Sequence, residues 1–400
     1  MRTTMITTMR TTAENNTLTV FLEGRIDTNN AAQAESELFA AAEGANGADI
    51  VIDAEKLEYI SSAGLRVLMK LRKSINKPLP VINVSRDVYD IFETTGFTEL
   101  LDVKKALRRV STDGMKLIGS GFTGDVYRMD DETVIKVFHK NISYDIMISK
   151  ENQKARNAFL AGVPTAIPYD IVRVGECYGT VYEMLDAKDL VTVAAEDKTR
   201  LDEQIAKFAR IVKNMHTIRA DPSKFEPVKQ TSLGALQYLA SVLTDEEMKK
   251  VRALYESIPD RDTFIHGDCH LGNVMVRDGE MMFIDLGTSG TGHPIFDMGS
   301  MYSLFVDRAD NDEAIAASPV LRPFTKDEIK KVWSVFIRTY LDTADEELIA
   351  KAERQIEAVS LARRLFMVIA MPGALTPEAL AAMKQKLFSL YDSGIGEICF

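Results

Sequence analysis

The sequence predicts two folding units in series: a small α/β domain, then an α+β domain of two lobes, one small and β-rich, one large and helical. Three observations carry this reading. Strand-like and helix-like runs alternate from residue 17 to about 105, a meander of strand runs follows to 138, and beyond 195 most apolar runs have helical spacing. The boundaries expected are 15–106 for the first domain and 108–395 for the second. The second divides into a small lobe of about 108–185 and a large lobe of about 186–395. No Pro- or Ser-rich linker separates the two domains. Four hundred residues are ample for two cores.

The elements of the first domain follow in order. "LTVFLEGRI" reads as a strand, and the Ala-rich "NNAAQAESELFAAAEG" as a helix stopped by Gly44. "ADIVIDAEKLEYI" is a strand running into "SSAGLRVLMKLRKSI", whose serines suit a helix N-cap and whose Leu65, Leu68, Met69 and Leu71 form an apolar stripe. "LPVINV" is a strand and "RDVYDIFETTG" a short helix. The polar, Thr-rich start, "MRTTMITTMRTTAENN", reads as a frayed leader without the apolar core of a secretory signal.

In the second domain, "ALRRVSTDGMKLIGSG", "GDVYRMD" and "ETVIKVF" read as consecutive strands, and "SKENQKARNAFLAGVPTAIP" as a helix ended by Gly162 and Pro164. Four helices are expected beyond 195: "DEQIAKFARIVKNMHTI", "TSLGALQYLASVL", "KDEIKKVWSVFIRTYL" and "EELIAKAERQIEAVSLARRLFMVIA". Residues 220–260 and 300–325 read as loops that select a substrate.

Composition narrows the function. A net charge of -11 disfavours nucleic acid as a partner, and no run approaches the roughly 20 apolar residues of a membrane span. Three scattered cysteines imply a reducing compartment, so a cytoplasmic location is expected.

The chemistry concentrates in "FIHGDCHLGNVMVRDGEMMFIDLG", residues 264–287, where charge sits between apolar strand runs. Upstream, "GSGFTGDVYRM" places Gly119, Gly121 and Gly124 in a G-x-G-x-x-G pattern between two strands. That suits backbone amides lying over a triphosphate, not a Rossmann turn. Lys136 lies mid-strand in "TVIKVF", spaced for a phosphate contact, and Glu151 near the next helix start could pair with it. Asp268 and Asn273 stand five apart on a loop, and Asp285 follows an apolar strand. Together they supply one base and two oxygen ligands for Mg²⁺. His266 and His270 lack a third ligand at metal spacing and read as braces, and His139 and His216 as surface or helix-face residues.

These residues, in this order, resemble the aminoglycoside phosphotransferase and choline kinase branch of the protein-kinase-like fold over residues 108 to about 390. The resemblance implies an ATP- and Mg²⁺-dependent kinase with an alcohol acceptor. In it Lys136 meets the α/β-phosphates, Glu151 pairs with Lys136, Asp268 is the catalytic base, and Asn273 and Asp285 hold the metal. "YEMLD" resembles the adenine hinge, which implicates Glu183 and Leu185, while His266 and Asp297 support the catalytic loop.

Residues 17 to about 105 resemble the STAS domain of anti-sigma-factor antagonists. Their related motif is DSSG; aligning its glycine with Gly64 in "ISSAG" puts Ser62 at the phosphorylatable serine and Ser61 at the aspartate. A STAS-like domain implies a protein partner. Two functions are therefore expected to compete. One is a small-molecule kinase regulated through its STAS domain. The other is a signalling protein whose kinase-like domain acts on protein, Ser62 included, or only senses nucleotide.

Overall fold

The structure, a computed structural model, describes residues 8–14, 16–45, 47–121, 123–142, 148–370 and 375–400. The chain divides into two compact units, Met1–Val110 and Ser111–Phe400.

The first unit is one sheet with helices. Its strands are β1 (Thr8–Glu14), β2 (Thr17–Ile26), β3 (Asp49–Ile60), β4 (Pro80–Val84) and β5 (Asp102–Lys105), in spatial order β1-β2-β3-β4-β5. β1 and β2 form an antiparallel hairpin; β2 through β5 run parallel, each pair joined by a crossover. The helices among them are α1 (Ala31–Gly44), α2 (Ser62–Ile75) and α3 (Arg86–Thr94). The Thr-rich start is thus an edge strand from Thr8 and not a frayed leader. Threonine's branched Cβ favours the extended pairing that its polarity concealed.

Two small details fix the β3–α2 junction. Ser61 caps α2, its hydroxyl accepting from the Gly64 N–H at 3.4 Å. Gly64 is buried where a Cβ would lie 2.7 Å from both Ile26 and Ile60 side chains, so close helix–sheet packing requires glycine there.

In the second unit an antiparallel sheet runs, in spatial order, through strands 168–174, 177–183, 133–138, 124–128 and 116–120. One helix, α4 (Ser149–Leu160), interrupts the chain between the third and first of these, and Gly162 at φ +91° ends its exit turn. The helical part holds α5 (Leu190–Glu196), α6 (Leu201–Met215), α7 (Val228–Ala235), α8 (Asp245–Ser257), α9 (Ile295–Phe305), α10 (Asp312–Ala317), α11 (Lys326–Leu341), α12 (Glu346–Ala370) and α13 (Pro377–Asp392). Strands 274–277 and 280–283 form an antiparallel hairpin, whose first strand also pairs with residues 188–189. Phe208 of α6 meets Phe336 of α11 at 5.4 Å between ring centroids, and Phe336 stacks on Trp333 and Tyr340.

Two expectations need correction. Residues 231–243 do not form one helix: α7 stops at Ala235, and Leu236–Ser241 winds as a 3₁₀ turn. The tighter winding lets Leu236 and Leu239, three apart, both point into the core. The 220–260 segment is not simply loop, because α8 begins at a capping box formed by Thr244 and Glu247.

Candidate active site

The Gly-rich hairpin is built by the turn between strands 116–120 and 124–128, where the Gly121 N–H donates to the Gly124 carbonyl at 2.9 Å. Its glycines are not equivalent. A Cβ on Gly119 would make only ordinary contact with Val126, whereas one on Gly124 would sit 2.3 Å from the Val137 carbonyl oxygen on the neighbouring strand. Gly124 is therefore required by sheet packing, whatever else it does.

Strand register carries Lys136 opposite Val126 on one side and Thr180 on the other. Its ammonium lies 2.7 Å from Glu151 of α4 and 3.3 Å from Asp285. Burial alone would drive this lysine toward the neutral amine. The carboxylates of Asp285 and Glu151 outweigh burial and hold its pKa above the ordinary value. Burial also pushes the Glu151 carboxyl upward against the pull of Lys136. The short contact with an ammonium nonetheless marks Glu151 as the ionised partner.

At the end of strand 177–183, the Glu183 N–H is engaged by the Ile167 carbonyl at 2.9 Å. The N–H of Leu185, two residues on, has no acceptor among the described residues. It is a free donor beside the sheet that carries Lys136.

Three further residues come together on the large lobe. Asn273 donates through Nδ2 to the Asp268 carbonyl at 2.9 Å, leaving its amide oxygen without a donor among the described residues. The Ile284 N–H returns to the Asn273 carbonyl at 3.0 Å, which brings Asp285 beside it. Asp285 adopts a left-handed backbone, φ 60° and ψ 58°, that aspartate tolerates better than most residues. The carboxylates of Asp268 and Asp285 are about half exposed, 49% and 50%. Among the described residues no three His, Cys, Asp or Glu side chains form a metal cage.

Asp297, fully buried on α9, organises the loop before Asp268. Its carboxylate accepts from the His266 N–H at 2.8 Å, the Gly267 N–H at 2.7 Å and His216 Nε2 at 3.0 Å. Burial raises its pKa, but the bonds and charge of His216 and the proximity of His266 prevail and leave it below the ordinary value. His266 accepts at Nδ1 from the Asp268 N–H and meets the Ile284 carbonyl at 3.1 Å through Nε2, which therefore carries the proton.

His216 corrects the sequence reading. It is 6% exposed, not on the surface, and its Nδ1 meets the Tyr340 hydroxyl at 2.9 Å. Sequence reasoning also missed Thr288, which donates to the His266 carbonyl at 3.2 Å, and Arg363 of α12, which donates to the Gly267 carbonyl at 2.7 Å. Neither carries a local motif; only the fold brings them here. Ser62 belongs to the other unit, where its side chain is exposed at the start of α2.

Both units are similar to known proteins. Residues 114–323 match the profile of the phosphotransferase enzyme family, and residues 8–110 that of the STAS domain. An 85-residue stretch, 20% of this chain, is 34% identical to a Bordetella bronchiseptica protein named as an anti-sigma factor antagonist, and covers 72% of it. Among solved structures, a choline/ethanolamine kinase family protein from Mesorhizobium loti is similar with a TM-score of 0.43 and 16% identity, over 70% of this chain and 87% of that one. An ethanolamine kinase from Plasmodium vivax gives 0.45 and 14%, over 70% and 82%.

Proposed function

The chain belongs to the phosphotransferase enzyme family and carries a STAS domain ahead of that part, and on this premise we propose that it transfers the γ-phosphoryl group of ATP to a hydroxyl of a small molecule. One observation carries the reading: the Lys136–Glu151 pair, Asp285, Asn273 and Asp268 are linked through contacts of 2.7 to 3.3 Å. Gly119 and Gly121 would cover the phosphates, Lys136 would neutralise them, and the Leu185 N–H and Glu183 carbonyl would receive adenine. The half-exposed Asp268 carboxylate would accept the proton of the incoming alcohol.

The oxygen donors fit Mg²⁺. Asn273 and Asp285 offer hard oxygens, and two protein ligands suffice for a cation that keeps water and phosphate in its shell. When bound, the ion spreads the negative charge of the triphosphate. Holding that ion is the role proposed for Asn273 and Asp285; aiming the acceptor is the role proposed for Asp268. His266, Asp297 and His216 hold the loop that carries Asp268.

Titration with MgATP, followed by ADP release over a panel of sugars, choline and aminoglycosides, tests the assignment. Asp268→Ala should bind nucleotide and lose transfer, whereas Asp285→Ala should lose Mg²⁺-dependent binding. Unchanged turnover in both variants would overturn it.

A second reading rests on the α2 N-terminus. Ser61 supplies the cap, so the exposed Ser62 hydroxyl is not engaged in capping. A STAS domain related to an anti-sigma factor antagonist supports a protein partner, with Ser62 as a phosphate acceptor that would regulate docking. Incubation with MgATP and no added alcohol would then label the chain, and Ser62→Ala would abolish the label. Label that persists in Ser62→Ala would exclude this site.

A further inference from the structure

Gly267, the residue before Asp268, is gripped on both sides. Its N–H donates to Asp297 Oδ1 at 2.7 Å, and its carbonyl accepts from Arg363 Nη2 at 2.7 Å. The first grip comes from α9 and the second from α12, 96 residues along the chain. Gly267 sits at φ +83°, and a Cβ there would lie 2.3 Å from the Thr288 carbonyl oxygen, so no other residue fits. Glycine has the least intrinsic preference for one backbone state, so its conformation must be imposed from outside.

The peptide plane joining Gly267 to Asp268 has two handles. One is the Asp268 N–H, whose bond to His266 Nδ1 is long at 3.3 Å. The other is the Gly267 carbonyl, held by a charged donor at a short distance, roughly twice as strong as a neutral bond. Arg363 is thus the firmer constraint on the plane that aims Asp268. Its neighbour Arg364 pairs with Asp307 at 2.9 Å, but among the described residues Arg363 has no carboxylate within ion-pair distance. Its structural bond goes to the loop.

We propose that Arg363 is a positioning residue for phosphoryl transfer, fixing the Gly267–Asp268 peptide and through it the direction of the Asp268 carboxylate. This rests on Asp268 being the acceptor-side base. α12 is anchored independently, by Trp333 donating to Glu353 at 2.7 Å and by Gln355 donating to the Glu397 carbonyl at 2.7 Å. Loss of the Arg363 guanidinium should therefore leave the helix in place and free only the loop.

The test uses the full chain with Arg363→Ala and Arg363→Lys. Hydrogen–deuterium exchange of segment 264–273 needs no acceptor and reports the grip directly. Arg363→Ala should speed exchange there about tenfold while α12 and α9 keep their protection. Hydrolysis of MgATP, with water as acceptor, should fall ten- to hundredfold in kcat with KM for MgATP within about twofold, the size of effect that misplacing a catalytic group produces. Arg363→Lys should recover part of both. Unchanged exchange in the loop, or a loss of kcat accompanied by loosening of all of α12, would overturn the proposal. If the unmodified chain bound no MgATP, the kinase reading would fail, and the exchange result would still decide whether Arg363 holds the loop.

Discussion

Lys136 lies between two carboxylates, 2.7 Å from Glu151 and 3.3 Å from Asp285. The first partner comes from α4 and the second from the strand-end turn of the large lobe, so a single ammonium ties both lobes of the second unit. The nearer partner is also the more covered, 11% exposed against 50%, which makes Glu151 the stronger anchor.

Substitution should separate these two contacts. Lys136→Met is expected to lower turnover about 10²-fold or more, the usual effect of deleting a charge aimed at a transferring group. Glu151→Gln should cost less, because Asp285 can still hold the ammonium, though in a displaced position. Steady-state ADP release from both variants checks the order; an equal or larger loss in Glu151→Gln would contradict it.

The two hairpin glycines should behave differently. Gly124→Ala places a methyl against the Val137 backbone and should destabilise the second unit by about 1–3 kcal/mol. Gly119→Ala, whose methyl would make only ordinary contact with Val126, should change stability by less than about 0.5 kcal/mol and show itself only in nucleotide affinity. Thermal melts of both variants, run beside nucleotide titrations, make the comparison.

A parallel expectation holds in the first unit. Gly64→Ala must push apart Ile26 and Ile60, at about 1–3 kcal/mol, without touching Ser62. Unfolding of residues 1–110 in denaturant measures this. A neutral result would mean that α2 can shift away from the sheet without loss.

Acid should weaken the second unit through His293. Burial, aided by the charge of Arg261, depresses its pKa to about 4, while its Nε2 meets the Phe400 main-chain oxygen at 3.0 Å. The ordinary value is about 6.5. Between those limits the unfolded chain binds a proton that the folded one refuses, so stability falls as pH drops from about 6.5 to about 4. The loss is of order 3 kcal/mol. His293→Gln should flatten this slope in melts taken across that range; an unchanged slope would show that other groups set it.

Much of this was legible in the sequence because periodicity and motif spacing are local. The 326–341 and 346–370 helices announced themselves by apolar spacing, and their observed bounds match. The Asp268, Asn273 and Asp285 trio was readable because its members lie within one short stretch. β1 was missed because its seven residues, TMRTTAE, are mostly polar and lack an apolar alternation. α13 was missed although Thr376 and Pro377 give it an N-terminal signal, a cap and a proline at the first turn. His216 and Arg363 were not readable at all. Arg363 acts on the loop from α12 and His216 through Asp297, and no spacing along the chain encodes a meeting 81 or 96 residues away.

The left-handed turn at Asp285 also bears on how such a site can decay. Few residues accept that backbone without strain; asparagine and glycine are the readiest replacements. A descendant that lost the carboxylate by either route would keep its shape, its neighbours and its packing while losing the cation ligand proposed for this site. Silent scaffolds would then arise from this architecture by a single substitution, and they would be told from working enzymes by one side chain and not by any change of fold.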